Sequence, residues 1–229
     1  MLTIAPEIFE RFPGVVIGTV VAREIDNTGA HPQLGERLRA AEAAVRAELA
    51  GTVLVEHPRI LPWREAYRAF GAKPKKYPSS IEALVRRVIK GDELPSINPL
   101  VDLYNVVSLS HLLPGGGEDI GKLEGPLELR FAGPDEPEVE LLGRPQPAAP
   151  LEGEVIYTDS IGAVCRRWNW REAARTCLGP ETREAILVIE ALPPMGAQEV
   201  AAALDELCSL AEHHCRAGCT SSIYQGRDT

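Results

Sequence analysis

Two periods of apolar residues run along this chain, and they predict both strands and helices. Apolar runs rich in β-branched residues, or short alternating runs, predict strands at 15–22, 139–142, 153–159 and 163–168. Apolar residues that recur every three or four positions predict helices at 33–51, 63–70 and 197–217. This mixed order, with hairpin-like connections, favours an α+β fold of mixed or antiparallel sheets and packed helices.

The segment from 97 to 125 carries the candidate chemistry. Polar residues interrupt its apolar run at spacings of three and four, namely Asn98, Asp102, Asn105 and Ser108. On a helix this spacing puts them on one face, where they form either a structural polar network or the floor of a site. Three glycines and two acids follow, which are Gly115, Gly116, Gly117, Glu118 and Asp119. They predict a glycine-lined loop that approaches a ligand, or a tight loop whose acids cap neighbouring amides.

Charge is distributed unevenly along the chain. The formal net charge of −9 over 229 residues argues against broad affinity for nucleic acid. Between Arg59 and Lys90, however, the sequence has nine basic and two acidic residues, which gives a net charge of +7. This window fits a selective RNA-facing patch, or alternatively two solvated basic helices that pair with acids elsewhere. Its candidate RNA-binding residues are Arg64, Arg68, Lys73, Lys75, Lys76, Arg86 and Arg87.

The 97–125 segment resembles the B3/B4 editing domain of the phenylalanyl-tRNA synthetase β subunit. The family pattern runs N-x-V-V-D-x-T-N-Y-V, Q-P-x-H-A-F-D and K-L-x-G, and it is matched without insertion by Asn98, Val101, Asp102, Asn105, Pro114, Asp119, Lys122, Leu123 and Gly125. The resemblance extends through a short basic helix at 80–91 and strands at 127–132 and 185–190. Freestanding B3/B4 proteins are more similar still.

The resemblance implies a single B3/B4-type domain over 1–229. Its firm core covers 58–192, preceded by a strand-helix extension at 1–57. A C-terminal helix and a loose tail occupy 193–229, with the tail beginning at Gly218.

Editing domains of this family hydrolyse the ester that joins a wrong amino acid to the 3′-terminal adenosine of tRNA. Because this ester is labile, the protein need only orient a water, stabilise developing negative charge and select its substrate. The chain has no sequence signature of a Ser-His-Asp or Cys-His site. The resemblance therefore indicates Asn105, Asp102 and Asn98 as catalytic residues.

Two departures from the family pattern bear on the cargo. The family threonine is Tyr104 here, and its site histidine falls on Gly116. We expect the substrate to be bound by Tyr104, Ser108, Gly115, Gly116, Gly117, Glu118 and Asp119. A guanidinium presents planar donors that Glu118 or Asp119 could accept, so an arginine analogue such as canavanine on arginine tRNA is the expected cargo.

The segment from Cys165 to Glu172 combines three arginines with two tryptophans. Such residues could grip phosphates and stack the terminal adenine, as is common at single-stranded RNA ends. We therefore add Arg166, Arg167, Trp170 and Arg171 to the RNA-binding candidates. The alternatives are core tryptophans and surface ion pairs.

The leading hypothesis is thus a deacylase that edits mischarged tRNA in trans. Its expected partner is the mischarged 3′ end of tRNA, with no DNA, membrane or cofactor. The alternative is a noncatalytic module that binds tRNA or an amino acid. A third class, hydrolysis of a small ester or amide, would leave the basic window unexplained.

The remaining features concern the compartment and metals. No apolar run is long enough to span a bilayer, and the first residues lack a signal-peptide pattern, so we expect a cytoplasmic protein. Five cysteines fit a reducing compartment. For the cluster of Cys208, His213, His214, Cys215 and Cys219 we expect helix packing and no metal.

Overall fold

The structure, a computed structural model, describes residues 2–29, 31–144 and 146–226. Its α-helices are Pro6–Arg11 (α1), Pro32–Glu48 (α2), Leu61–Ala69 (α3), Ser80–Ile89 (α4), Pro99–His111 (α5) and Ala197–Cys215 (α6). Its strands are Leu2–Ile4 (β1), Val16–Arg23 (β2), Gly115–Asp119 (β3), Leu127–Phe131 (β4), Val155–Thr158 (β5), Ala163–Arg166 (β6), Arg171–Glu172 (β7), Glu184–Ala191 (β8) and Gly218–Gln225 (β9). No helix among these is both long and apolar enough to cross a membrane.

The strands form two sheets. One sheet has the order β1-β4-β5-β6-β7 and is mixed, because β1 runs parallel to β4 while the other pairs are antiparallel. The other has the order β3-β8-β2-β9 and is antiparallel throughout. Helices pack against the antiparallel sheet, with α6 on β2 and α5 on β3. The predicted α+β fold with mixed and antiparallel sheets is confirmed.

Strand β2 lies inside the antiparallel sheet and pairs along its whole length with both β8 and β9. Six of its eight residues are buried, and five of these six are consecutive. Such a continuous buried run is typical of a strand that is covered on both faces. The N-terminal segment is therefore built into the sheet, while the predicted boundaries between core and extensions stay a prediction.

Close packing of α6 on β2 depends on Gly18. A Cβ atom at this position would lie 2.5 Å from Val200 Cγ1 and 2.7 Å from Leu204 Cδ1. We expect Gly18→Ala to lower the free energy of unfolding by about 1–3 kcal/mol through overpacking. The matched control is Gly35→Ala in α2, where no atom lies within 4 Å of the added Cβ; it should stabilise by about 0.5–1 kcal/mol. Urea denaturation measures both, and equal shifts would contradict the packing argument.

Helix α5 and strand β3 bring the candidate segment into the core. Asn98 caps the helix and Pro99 occupies its first turn, where a missing N–H costs nothing. Leu112 follows the last helical residue, and its left-handed backbone turns the chain toward β3. The predicted glycine-lined loop is thus wrong in its conformation, because Gly115–Asp119 pairs with β8 as an edge strand.

Two other expectations are corrected. The tail from Gly218 is not loose, since Gly218–Gln225 forms β9 and satisfies the backbone edge of β2; residues 227–229 lie outside the described part. The short strand predicted at 139–142 is reduced to isolated bridges from Val139 to Ala148 and from Leu141 to Ala173. Proline-rich flanks explain this reduction, because proline cannot donate to a ladder.

Candidate functional site

A cavity of about 360 Å³ opens between α5, β3 and the tryptophan-rich turn that leads into β7. Nine residues singled out from the sequence line it, namely Arg87, Tyr104, Asn105, Gly115, Gly116, Gly117, Glu118, Trp170 and Arg171. Seven other polar, aromatic or thiol-bearing residues also line it, namely Ser80, Tyr157, Cys165, Trp168, Asn169, Glu172 and Glu190. The cavity therefore joins the two candidate segments into one site.

The glycines of β3 form one wall of this cavity. A Cβ atom on Gly117 would lie 2.5 Å from Leu187 Cδ2, and one on Gly115 would collide with Ser108 Oγ. At Gly116 the nearest atom would be Glu172 Oε1, at 2.9 Å. The carboxyl group of Glu172 thus fills the space beside Gly116, and the Gly117 N–H donates to the same oxygen over 3.4 Å.

Glu118 and Glu172 place two carboxyl groups in the same cavity. Burial raises the pKa of Glu118 well above its usual value, and the charge of Glu172 raises it further. Burial also raises the pKa of Glu172 to about 7, opposed by the Gly117 N–H and the Arg171 guanidinium. Glu118 Oε2 is buried and has no hydrogen-bond partner among the described residues. The pair therefore holds protons more tightly than ordinary carboxyl groups do, and a bound cation would favour their release.

The raised pKa of Glu172 predicts a pH-dependent stability. Its folded pKa of about 7 exceeds the ordinary 4.5, so the folded state holds this proton more tightly than the unfolded state. Its contribution is therefore most favourable below pH 4.5 and is lost as the pH rises through 7. Relative to wild type, Glu172→Gln should gain unfolding free energy over this window and level off above it. Urea denaturation at a series of pH values checks this; a difference that is constant with pH would contradict it.

Glu190 anchors a fixed polar network at another wall. Its Oε1 accepts hydrogen bonds from Tyr157 Oη at 2.5 Å and Trp168 Nε1 at 2.7 Å, and its Oε2 accepts from Asn169 Nδ2 at 2.6 Å. Asn169 Oδ1 in turn accepts from Tyr67 Oη at 2.9 Å. Both oxygens of Glu190 are therefore engaged, which suits a structural role.

Four polar candidates lie outside the cavity, which corrects their expected roles. Asn98 Oδ1 accepts from Val101 N at 3.0 Å, and Asp102 accepts from Ile97 N at 3.0 Å and from the Ser96 hydroxyl. Asp119 accepts from Thr182 Oγ1 at 2.7 Å. Ser108 is fully buried behind the glycine wall. These side chains hold α5 and β3 in place, and Asn105 alone of the three catalytic candidates reaches the cavity.

The amide of Asn105 is free to act on a ligand. Its side chain is 7% exposed and lines the cavity, yet it makes no hydrogen bond to any residue that the structure describes. Its amide groups therefore open onto the cavity and are suited to contact a bound molecule or water.

The basic candidates divide into buried pairs and an exposed group. Arg64 and Arg86 each lie 2.5 Å from Oε1 of the buried Glu82, and Arg166, 3% exposed, forms a two-pronged pair with Glu154. Burial in these pairs corrects the expectation that Arg64 and Arg166 are open to RNA, whereas Arg86 keeps 35% of its side chain exposed and its contact with RNA stays a prediction. The exposed members are Arg68, Lys73, Lys75, Lys76 and Arg87.

A second hollow of about 250 Å³ lies beside the first and includes Lys73, Lys76, Tyr77 and Arg167. Arg167 is 7% exposed, which corrects the expectation that it is open to RNA. Its guanidinium lies 3.5 Å from Glu154 Oε2 and stacks over the Tyr77 ring at 3.9 Å and the Trp170 ring at 4.8 Å. Because Trp170 also lines the main cavity, this basic and aromatic surface adjoins it. This surface and the exposed Arg87 place positive charge beside the cavity.

Glu172 and Glu190 are the site residues that the sequence reasoning missed. Glu172 directly follows the arginine-tryptophan segment, and Glu190 ends the apolar run of β8. A charged residue at the end of a buried apolar strand is the signal that could have marked Glu190, because such a group needs partners.

Comparison with known proteins identifies the family. The B3/4 domain family matches residues 62–216, whereas no curated protein matches the chain. Among solved structures, the chain is similar to an N-terminal fragment of the phenylalanyl-tRNA synthetase β subunit from Pyrococcus horikoshii, at 8% identity and a TM-score of 0.48. The alignment covers 99% of this chain and 54% of that one, so the chain spans about half of that fragment. Because the family match takes in most of its length, the chain belongs to the B3/4 domain family.

Proposed function

We propose that the protein is an aminoacyl-tRNA deacylase that acts in trans on a mischarged tRNA, with a cationic amino acid as its cargo. An arginine analogue such as canavanine on arginine tRNA fits this class. The observation that carries the proposal is a half-open cavity that carboxyl groups line together with basic and aromatic groups.

The interior supports a cationic cargo. Its volume of about 360 Å³ falls within the range of small-molecule sites and suits a single aminoacyl group. Glu118 and Glu172 supply acceptors that a guanidinium can engage in a planar, two-pronged manner. Asp119, the other acid considered from the sequence, is turned away toward Thr182 and cannot share this role.

The mouth supports a polynucleotide end. Exposed Arg87 and half-buried Arg171 line the opening, and Lys73 and Lys76 lie in the adjoining hollow. The Arg167 guanidinium covers one face of the Trp170 and Tyr77 rings, so a base would stack on the opposite face. The protein has a net negative charge, and its basic residues are concentrated beside the cavity. This distribution favours specific binding of an RNA end over nonspecific binding along nucleic acid.

Hydrolysis needs little beyond positioning. The ester is intrinsically labile, so an oriented water and donors for the developing oxyanion are sufficient to accelerate it. The unpaired amide of Asn105 is suited to orient the substrate carbonyl or the water. We expect Asn105→Ala to abolish release while tRNA binding persists, whereas Asp102→Ala should lose stability because Asp102 holds the start of α5.

The test is release of amino acid from a panel of arginyl, canavanyl, lysyl and tyrosyl tRNAs by the purified protein. The proposal predicts rapid release of canavanine, arginine or lysine where it is carried by a tRNA that is not its own, and slow release of tyrosine. The loss of the family histidine at Gly116 favours the rival, a noncatalytic binding module. That rival predicts tRNA binding without release from any member of the panel.

Replacing Glu118 tests directly whether its carboxylate selects a cationic amino acid. Glu118→Gln keeps the shape of the side chain and removes its capacity for negative charge. We expect the preference for arginyl over tyrosyl-tRNA to fall by about tenfold or more, because hydrogen bonds to charged groups contribute about 1.5–3 kcal/mol. The exposed Glu184→Gln is the matched control. An unchanged ratio of kcat/KM values in Glu118→Gln would remove the carboxylate from substrate selection.

A further inference from the structure

We infer that Glu172 is the catalytic base that takes a proton from the attacking water, while Glu118 beside it receives the cationic group of the cargo. This inference rests on the proposed deacylase function and assigns the chemistry within its site. Of the two carboxyl groups in the cavity, one takes part in the reaction and the other recognises the cargo.

Elimination among the groups that line the cavity supports Glu172. None of the histidines lines it, and both oxygens of Glu190 are occupied by Tyr157, Trp168 and Asn169. Burial raises the pKa values of Tyr104, Tyr157 and Cys165 well above their usual values, so these groups stay protonated and are poor proton acceptors. The acceptors that remain are the carboxyl oxygens of Glu118 and Glu172.

The surroundings distinguish these two acids. Glu118 is 5% exposed, and its buried Oε2 lacks a partner, as suits an oxygen that a ligand donor must satisfy. Glu172 is more accessible and holds Oε1 against the backbone of Gly116 and Gly117. Its Oε2 makes no hydrogen bond within the described ranges and remains available for water.

The edge of β3 supplies donors next to this base. Pro114 O accepts from Glu190 N in β8, whereas the N–H groups of Gly117 and Asp119 point the other way, to Glu172 and to Thr176 O. Because N–H directions alternate along a strand, the Gly115 N–H shares the edge of Gly117. Since the Gly117 and Asp119 N–H groups are already engaged, the Gly115 N–H is the donor that remains on this edge for the oxygen of an ester carbonyl as negative charge develops there.

The reaction step balances with water as the only co-reactant. Water oxygen bonds to the ester carbonyl carbon while Glu172 takes one water proton. The bond from that carbon to the ribose oxygen then breaks, and Glu172 returns the proton to the departing ribose oxygen. The products are the free amino acid and a tRNA with a free terminal hydroxyl, and Glu172 is again a carboxylate.

Ionisation of Glu172 depends on every charged or titratable group packed around it. These are Glu118 from β3, Tyr104 from α5, Cys165 from β6, Arg171 beside it in β7 and Cys177 in the following loop. Burial raises its pKa to about 7, so the carboxylate needed as a base forms as the pH rises through neutrality. The rate should rise with it.

The experiment measures release of lysine from an arginine tRNA mischarged with it by wild type, Glu172→Gln, Glu172→Asp and Glu118→Gln between pH 5.5 and 8.5, corrected for spontaneous hydrolysis. We expect kcat/KM of wild type to rise with pH and level off above about 7. Glu172→Gln should lose about 100-fold or more and the rising limb, and Glu172→Asp should recover part of both. Glu118→Gln should keep the limb while its KM rises.

The outcomes separate the inference from the function on which it rests. Absence of release by wild type would overturn the deacylase function and this inference with it. Release by wild type together with an active Glu172→Gln that keeps the limb would overturn the inference alone. Should Glu172→Gln fail to fold, the wild-type profile decides, because a pH-independent kcat/KM from 5.5 to 8.5 contradicts a base with this pKa.

Discussion

Replacing Glu154 by Ala is expected to lower the free energy of unfolding by about 3–5 kcal/mol. Glu154 is 3% exposed and accepts from Arg166 Nε at 3.0 Å, Arg166 Nη2 at 2.8 Å and Arg167 N at 3.0 Å. The substitution would leave the buried Arg166 guanidinium without its counter-charge. Most of the loss comes from this stranded charge, since an intact buried pair contributes little net stability.

The matched control is Glu136→Ala, which breaks the pair between Glu136 and Arg130. The Arg130 side chain is 29% exposed and can turn to water once its partner is gone, so we expect a loss near 1 kcal/mol. Urea denaturation of both variants provides the comparison. Losses of similar size would contradict the burial argument and reopen Arg166 as a residue available to RNA.

Gly116→Ala is expected to reduce the rate of deacylation by about 100-fold with little effect on stability. The new Cβ would lie 2.9 Å from Glu172 Oε1, the end of a flexible side chain that can move away cheaply. The displaced carboxyl group would lose its place against the β3 backbone, and an error of about 1 Å in a catalytic group can cost this much. Single-turnover release and urea denaturation measure the two effects.

A double substitution tests whether this effect runs through Glu172. Gly116→Ala combined with Glu172→Gln should be no slower than Glu172→Gln alone, because the displaced group is already inactive. Gly117→Ala is the contrasting variant, since its Cβ would lie 2.5 Å from Leu187 and 3.0 Å from Ile186 O. That variant should lose stability. Additive rate losses in the double variant would show that Gly116 acts on something other than Glu172.

Much of the fold follows from apolar periodicity. The runs at 15–22 and 33–51 predicted β2 and α2, and the pair at 153–159 and 163–168 predicted the β5-β6 hairpin. Strands β3 and β9 were not predicted, because their sequences lack the apolar content of a strand. These sequences are Gly-Gly-Gly-Glu-Asp and Gly-Cys-Thr-Ser-Ser-Ile-Tyr-Gln. Their conformation comes from the edges of β8 and β2, which tertiary structure alone makes available.

The site could be predicted in part for a related reason. Tyr104, Asn105, Glu118 and the glycines lie on one continuous segment, so local spacing located them. Asn98 and Asp102 carry equally polar groups, but residue type does not distinguish a helix cap from a ligand contact. Glu172 and Glu190 reach the cavity only because β7 and β8 converge on it, a long-range arrangement that local spacing does not reveal.

Selection of a cationic amino acid by an acid-lined cavity underlies the proposed release from tRNA. The most direct test compares single-turnover release of lysine and of norleucine, its neutral counterpart, from the same arginine tRNA, on which both are mischarged. We expect lysine to be released at least about tenfold faster, and Glu118→Gln to remove most of this difference. Equal release of the two would contradict cation selection, and release of neither would contradict the deacylase function itself.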